Sequence, residues 1–61
     1  MKLNRIEMHQ LITALRGYNI SRNGDKAYNR MTGNINGVLV IEKEQEANEK
    51  LINRLMEELE K

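Results

Sequence analysis

The chain is short, almost neutral in charge and has no residue that could form a covalent crosslink. It has 61 residues, with ten basic and nine acidic side chains, one histidine and no cysteine. A domain of about 60 residues buries only about 60% of the surface that its unfolded chain exposes, so its stability is marginal. Disulfides are excluded, and a single histidine leaves little for a structural metal. Self-association is therefore the reinforcement that we expect.

The hydropathy pattern does not predict a membrane segment. The longest uninterrupted apolar run covers four residues, 38–41, whereas a membrane-spanning helix needs roughly 20. No charged leader is followed by an apolar stretch. We therefore expect a cytoplasmic protein with no membrane partner.

The first predicted element is a helix over residues 5–16. Asn4 and Glu7 have the spacing of a capping box, and Leu3 can pack on Met8 as a hydrophobic staple. Gly17 is then predicted to end this helix. Its apolar side is expected to contribute Met8, Leu11, Ile12 and Leu15 to a core or a dimer contact.

The last predicted element is a helix over residues 38–60. Its apolar side is expected to contribute Leu51, Ile52, Leu55 and Leu59. The run 38–41 could also be a strand, but most of it projects onto the same side as Ile52, which favours a helix capped near Asn36. Glu44, Gln45 and Asn48 interrupt the apolar side. Polar residues at such positions can set the register or the pairing state of helices, but we favour the interpretation that this part of a long helix extends beyond a shorter partner into solvent.

The segment between these helices, residues 17–37, is rich in asparagine and glycine and is predicted to be a partly ordered insert. Asn23-Gly24 and Asn36-Gly37 are strong turn signals. Two structures remain open: a short helix over residues 26–31 capped by Asp25, and a β-hairpin that turns at Asn23-Gly24.

Charge is distributed unevenly along the chain. Residues 16–41 carry a net charge of +3, and residues 42–61 carry −3. Basic and aromatic side chains alternate in the insert, which could form a surface for an acidic protein or a phosphate backbone. The candidate partner-binding residues are Tyr18, Arg22, Lys26, Tyr28 and Arg30. The alternative is a solvated segment that pairs with its own acidic helix.

Residues that could support catalysis are few. Nucleophilic catalysis would need His9 to activate Ser21, but His9 projects onto the polar side of the first helix. The glutamates have neither the Glu-x-x-His spacing of a metal pair nor that of a calcium loop. We predict a non-enzyme with no cofactor and no metal.

The two ends of the chain carry a resemblance. The segments 2–7 and 48–55, with Leu11, Ile12 and Leu15, resemble the short helical-hairpin proteins of phages and prophages of low-GC Gram-positive bacteria. The resemblance covers about 30 residues and excludes the middle of the chain. It implies binding to a host protein, in the host cytoplasm, and carries over no functional residue.

Together these patterns predict one all-α domain over residues 1–61. The expected architecture is an antiparallel helical hairpin with the central insert, dimerising into a four-helix arrangement. The predicted function is that of an inhibitor or adaptor that binds and blocks a host protein, possibly of a defence system. The alternative is a small nucleic-acid-binding regulator that acts as a dimer.

Overall fold

The protein consists of two long helices packed against each other as an antiparallel hairpin. A computed structural model describes residues 2–61, in which α1 spans Arg5–Met31 and α2 spans Ile35–Glu60. Only residues 32–34 connect them. The rod measures 44 × 18 × 14 Å, and its two ends are called here the turn end and the open end. The prediction of an all-helical hairpin is confirmed.

The capping box predicted for the first helix is present. The Asn4 side chain accepts a hydrogen bond from the Glu7 amide at 2.8 Å, and the Glu7 carboxylate accepts one from the Asn4 amide at 3.0 Å. Two amide groups that no helical carbonyl can reach are thereby satisfied. Leu3 and Met8 both pack on the apolar cluster near the open end.

The end of α1 is set by Gly33. Its φ of +78° is in the left-handed region, where a side chain would be strained. The Asn34 amide donates to the Asn29 carbonyl at 2.8 Å, and the Gly33 amide donates to the Arg30 carbonyl at 3.2 Å. These are the two hydrogen bonds of a Schellman motif. The Asn34 side chain then caps α2 by accepting from the Gly37 amide at 3.1 Å.

Each helix turns one continuous stripe of side chains towards the other, with alternating spacings of three and four residues. Such spacing keeps a stripe on the face between two helices along their whole length. In α1 the buried and half-buried positions of this stripe are Met8, Ile12, Leu15, Asn19, Arg22, Lys26 and Asn29. In α2 they are Val38, Ile41, Gln45, Asn48, Ile52, Leu55 and Leu59.

The chemistry of this interface changes along the rod. Near the open end, Ile12, Ile52 and Leu55 are buried in one cluster, on which Leu3, Met8, Leu11, Leu15 and Leu59 pack. Near the turn end, Val38 and Ile41 are buried, whereas the α1 stripe there is polar. Leu51, which we predicted in the core or a dimer contact, is 37% exposed and so lies outside the core of one hairpin.

The predicted insert over residues 17–37 is wrong. Residues 17–31 continue α1, so Gly17 does not end the helix and Asn23-Gly24 is not a turn. Neither a separate short helix nor a β-hairpin occurs there. Glycine costs up to about 1 kcal/mol in a helix, and the contacts that Asn19, Arg22 and Lys26 make with α2 offset this cost.

The second helix begins earlier than predicted, and its central polar side chains face the first helix. The run 38–41 is helical, as favoured, but α2 begins at Ile35 and its cap is Asn34 rather than Asn36. The expectation that Glu44, Gln45 and Asn48 extend past a short partner is wrong. Because α1 has 27 residues and α2 has 26, these side chains face α1 and are half-buried.

Candidate interaction surfaces

The middle of the helix interface is a polar layer formed by Asn19, Gln45 and Asn48. Asn19 is only 8% exposed. Its side-chain amide donates to the Gln45 carbonyl at 3.2 Å, and its Oδ1 accepts from Asn48 Nδ2 at 3.0 Å. Gln45 Nε2 donates to the Asn19 carbonyl and to Asn23 Oδ1, both at 2.8 Å. A hydrogen-bonded layer of this kind is satisfied in only one helix register, so it can fix the alignment of α1 with α2.

The predicted basic residues lie against α2. Arg22 Nε contacts Glu44 Oε1 at 3.2 Å, and Arg22 Nη1 contacts Asp25 Oδ2 at 2.8 Å. Lys26 Nζ donates to Gln45 Oε1 at 2.9 Å, and Arg30 Nη2 contacts Glu42 Oε1 at 3.4 Å. These are the contacts expected if the basic segment pairs with its own acidic helix. Arg22 and Arg30 are thus paired with carboxylates, whereas Lys26 binds the neutral side chain of Gln45.

Tyr18 joins the same network. Its hydroxyl donates to Glu44 Oε1 at 2.6 Å. This hydrogen bond, with smaller contributions from desolvation and the negative charge of Glu44, raises the pKa of the Tyr18 phenol above its usual value of 10.0. Tyr18 is 44% exposed, so its ring remains accessible although its hydroxyl is engaged.

Tyr28 belongs to a different surface, the apolar turn end. We define the apolar turn end as five large side chains around the connection between the helices. They are Tyr28, Met31, Ile35, Leu39 and Val40, with exposed fractions of 67, 87, 60, 50 and 61%. A cluster of exposed apolar groups marks a place where another surface can bind. The sequence indicates only Tyr28 as a candidate here, because residues 35–37 are predicted in the insert. The projection places Leu39 away from the apolar side of the last helix, in agreement with its exposure, but places Val40 on that side, which is wrong because Val40 is 61% exposed.

Two opposite sides of the rod expose side chains from both helices, and different pairs of residues meet on each of them. On one side, Arg16 Nη2 contacts Met56 Sδ at 3.5 Å, and Arg30 pairs with Glu42. On the other side, Tyr18 contacts Glu44. Residues three, four and seven positions from Tyr18 or Glu44 share the second side. We call the middle part of this side the tyrosine flank, and its uncharged members outside the helix interface are Leu11, Ala14, Tyr18, Ser21, Ala47 and Leu51. Arg22 and Glu44 border it, and Asp25 and Val40 continue the same side towards the turn end.

The groups considered for catalysis are not assembled. His9 and Ser21 are twelve residues apart on one helix, which corresponds to roughly 18 Å at 1.5 Å per residue. Over residues 2–61, no three side chains of the metal-ligating types come together. Neither described helix is apolar enough over a sufficient length to cross a membrane.

No family model, curated protein or solved structure matches this chain.

One signal in the sequence could have revealed the full length of α1. Asn19, Arg22, Lys26 and Asn29 continue the spacing of three and four residues that begins at Met8. The apolar part of this stripe ends at Leu15, and the later members are polar, so hydropathy alone does not predict that the helix continues. Their partners in α2, such as Gln45, are polar too. The polar half of the α1 stripe is recognisable as part of the helix interface only when it is aligned with the polar residues of α2.

Proposed function

We propose that this protein is a non-enzymatic protein-binding module that works as a homodimer and blocks a host protein by covering one of its surfaces. The apolar turn end is the observation on which the proposal rests. Five large apolar side chains within residues 28–40 are at least half exposed. They lie at the tip of a rod, where a partner can reach them from several directions.

The arrangement of charge supports a protein partner over a nucleic acid. Binding to a phosphate backbone requires cations that can leave their present partners for phosphate. Arg22, Lys26 and Arg30 each contact a side chain of α2, and the side chains of the apolar turn end carry no formal charge. A protein surface with an apolar pocket is the more suitable partner for such a tip.

The dimer is part of the same proposal. Among residues 2–61 no large side chain falls below 2% exposure, so a two-helix hairpin leaves its own core thin. Small domains without crosslinks commonly gain the missing burial by association. A four-helix arrangement would supply it and would leave both turn ends free.

The proposal is tested by affinity capture from lysate of a low-GC Gram-positive bacterium, with and without nuclease. The variant Met31→Ser/Ile35→Ser removes the most exposed side chain of the apolar turn end, Met31, together with Ile35. The matched control is Ile6→Ser/Ile20→Ser, whose isoleucines are each 70% exposed elsewhere on α1. We expect the turn-end variant to bind the captured protein at least about tenfold more weakly, a change in Kd that corresponds to about 1.4 kcal/mol. We expect the control to retain the affinity of the parent.

Two outcomes would overturn the proposal. Equal recovery by both variants would remove the apolar turn end as the binding surface. Recovery that disappears after nuclease treatment, together with a steep decrease of binding with salt, would indicate a nucleic-acid partner.

A further inference from the structure

We infer that the tyrosine flank is the dimer interface and that a second copy of this chain packs on it in antiparallel orientation. This inference rests on the dimer in the proposed function and assigns its surface and geometry. Its centre lies near residue 49 of α2, away from the tip of the rod. Of the apolar turn end, Tyr28 and Val40 extend onto the same side of the rod, where they line one groove with Arg22 and Asp25, and the tip itself is left for the host protein.

The centre of the tyrosine flank has almost no free charge. Between Leu11 and Ser21 on α1, and between Ala47 and Leu51 on α2, the flank positions are apolar or small. The charged side chains beside these positions, Glu44 and Arg22, are paired with each other, and Glu44 also accepts from the Tyr18 hydroxyl. The opposite side of the rod carries Arg16, Glu46 and Glu49 at the same level, which would have to be desolvated in an interface.

The shape of the flank also suits close contact between helices. Ala14, Ser21 and Ala47 are exposed, and they project little from the helix surface. Between them stand Tyr18 and Leu51, which are 44 and 37% exposed. A surface that alternates small and large side chains can interdigitate with a copy of itself, as an isologous contact requires. The partial exposure of Leu51, unexplained within one hairpin, becomes burial in the dimer.

Charge selects the antiparallel orientation. Arg54 lies three residues beyond Leu51 and seven beyond Ala47, so it shares this side of α2 with Glu44, ten residues away. Arg54 forms no ion pair within residues 2–61. The midpoint between them is residue 49, which is also the midpoint between Ala47 and Leu51. A two-fold axis that crosses the rod at this level places Arg54 of each copy beside Glu44 of the other and Leu51 beside Ala47. A parallel dimer does not bring these charges together.

The experiment measures molecular mass by light scattering and sedimentation at micromolar concentration, with helicity recorded by circular dichroism. The first variant is Ala47→Glu on the flank, and its matched control is Ala27→Glu, another exposed alanine of a helix interior on the opposite side. We expect the parent and Ala27→Glu to have the mass of two chains. We expect Ala47→Glu to have the mass of one chain, because it places carboxylates inside the interface.

A second pair of variants tests the orientation. Arg54→Glu would face Glu44 of the other copy and should raise the dimer dissociation constant about tenfold or more, since like charges across an interface are unfavourable. Lys50→Glu changes charge equally on the outward side of α2 and should leave the constant within about twofold.

The possible outcomes distinguish a wrong choice of interface from a wrong assumption that the protein is a dimer. If the parent is a dimer and Ala47→Glu is one too, the tyrosine flank is not the interface, although the proposed dimer stands. If the parent is a folded monomer at micromolar concentration, both the dimer and its surface are wrong, while capture through the apolar turn end remains a separate result. If Ala47→Glu dissociates the dimer but Arg54→Glu does not, the antiparallel orientation is wrong.

Discussion

Asn19 and Gln45 bind each other reciprocally across the helix interface. The side chain of each donates to the backbone carbonyl of the other, at 3.2 Å from Asn19 and 2.8 Å from Gln45. A helix carbonyl already accepts from its own helix, so each of these oxygens uses its second acceptor site. The two helices are therefore joined backbone to side chain in both directions at one level of the rod.

This layer predicts different results for one and two substitutions. Asn19→Ala should lower the free energy of unfolding by about 1–3 kcal/mol, because Asn48 loses its acceptor at a half-buried position. Asn19→Leu/Asn48→Leu replaces both partners with apolar groups and should recover most of that loss. Urea denaturation measures both values, with Thr13→Ala, an exposed position of α1 outside the helix interface and the tyrosine flank, as control. A double variant as unstable as Asn19→Ala would contradict this account of the layer.

The three glycines within the helices should respond to alanine in opposite directions. A Cβ at Gly17 or Gly24 would meet no atom within 4 Å, and alanine is favoured over glycine in a helix by about 0.5–1 kcal/mol. Each of these substitutions should therefore raise the melting temperature. At Gly37 the Cβ would lie 2.7 Å from Asn34 Nδ2, so Gly37→Ala should lower it by disturbing the cap of α2. A lower melting temperature for Gly17→Ala would mean that α1 is not continuous there.

The Tyr18–Glu44 hydrogen bond predicts a loss of stability at high pH. The folded protein holds the phenol proton more tightly than the unfolded chain does, because the pKa of Tyr18 is raised when folded. This contribution is complete below the ordinary phenol pKa of about 10 and is lost as pH rises through the raised pKa. The stability difference between the parent and Tyr18→Phe should therefore shrink over that interval. Phenol absorbance in a Tyr28→Phe background reports the Tyr18 titration itself, and a titration at the unfolded value would refute the hydrogen bond.

The apolar cluster at the open end should dominate the stability of the fold. Leu55 is 8% exposed and packs with Ile12 and Ile52, so Leu55→Ala should cost about 2–5 kcal/mol. Leu39→Ala is the matched control, since Leu39 is 50% exposed, and its cost should be well below that. Equal losses from the two variants would mean that Leu39 is buried in the assembled protein.

The helix termini were predictable from sequence where the signal is local. The capping box of Asn4 and Glu7 depends on two residues three positions apart, and the structure contains it. Gly17 and Asn23-Gly24 are also local signals, yet they predicted a helix end and a turn that do not exist. There the preference of glycine is weak, and contacts between Asn19 and Gln45, which are 26 positions apart in the chain, decide the structure.

The polar residues of the interface show the same limit. The projection placed Gln45 and Asn48 on the apolar side of α2, but their partners could not be chosen while α1 was taken to end at Gly17. For the same reason the sequence left two alternatives for Arg22 and Lys26, a partner-binding surface and pairing with the acidic helix, and could not decide between them. Gln45 and Asn48 can find partners only if α1 is long enough to face them. The length of α1 depends on contacts between residues far apart in the chain, which a local pattern does not contain.

The contact between Arg5 and Leu59 has a consequence for how the hairpin can be presented. Arg5 Nη1 donates to the Leu59 carbonyl at 2.8 Å, so the chain enters and leaves the fold side by side at the open end of a 44 Å rod. Anything joined to either terminus sits at the base, and the five apolar side chains of the opposite tip are held away from it. The hairpin can therefore be fused or tethered at its open end without covering the apolar turn end.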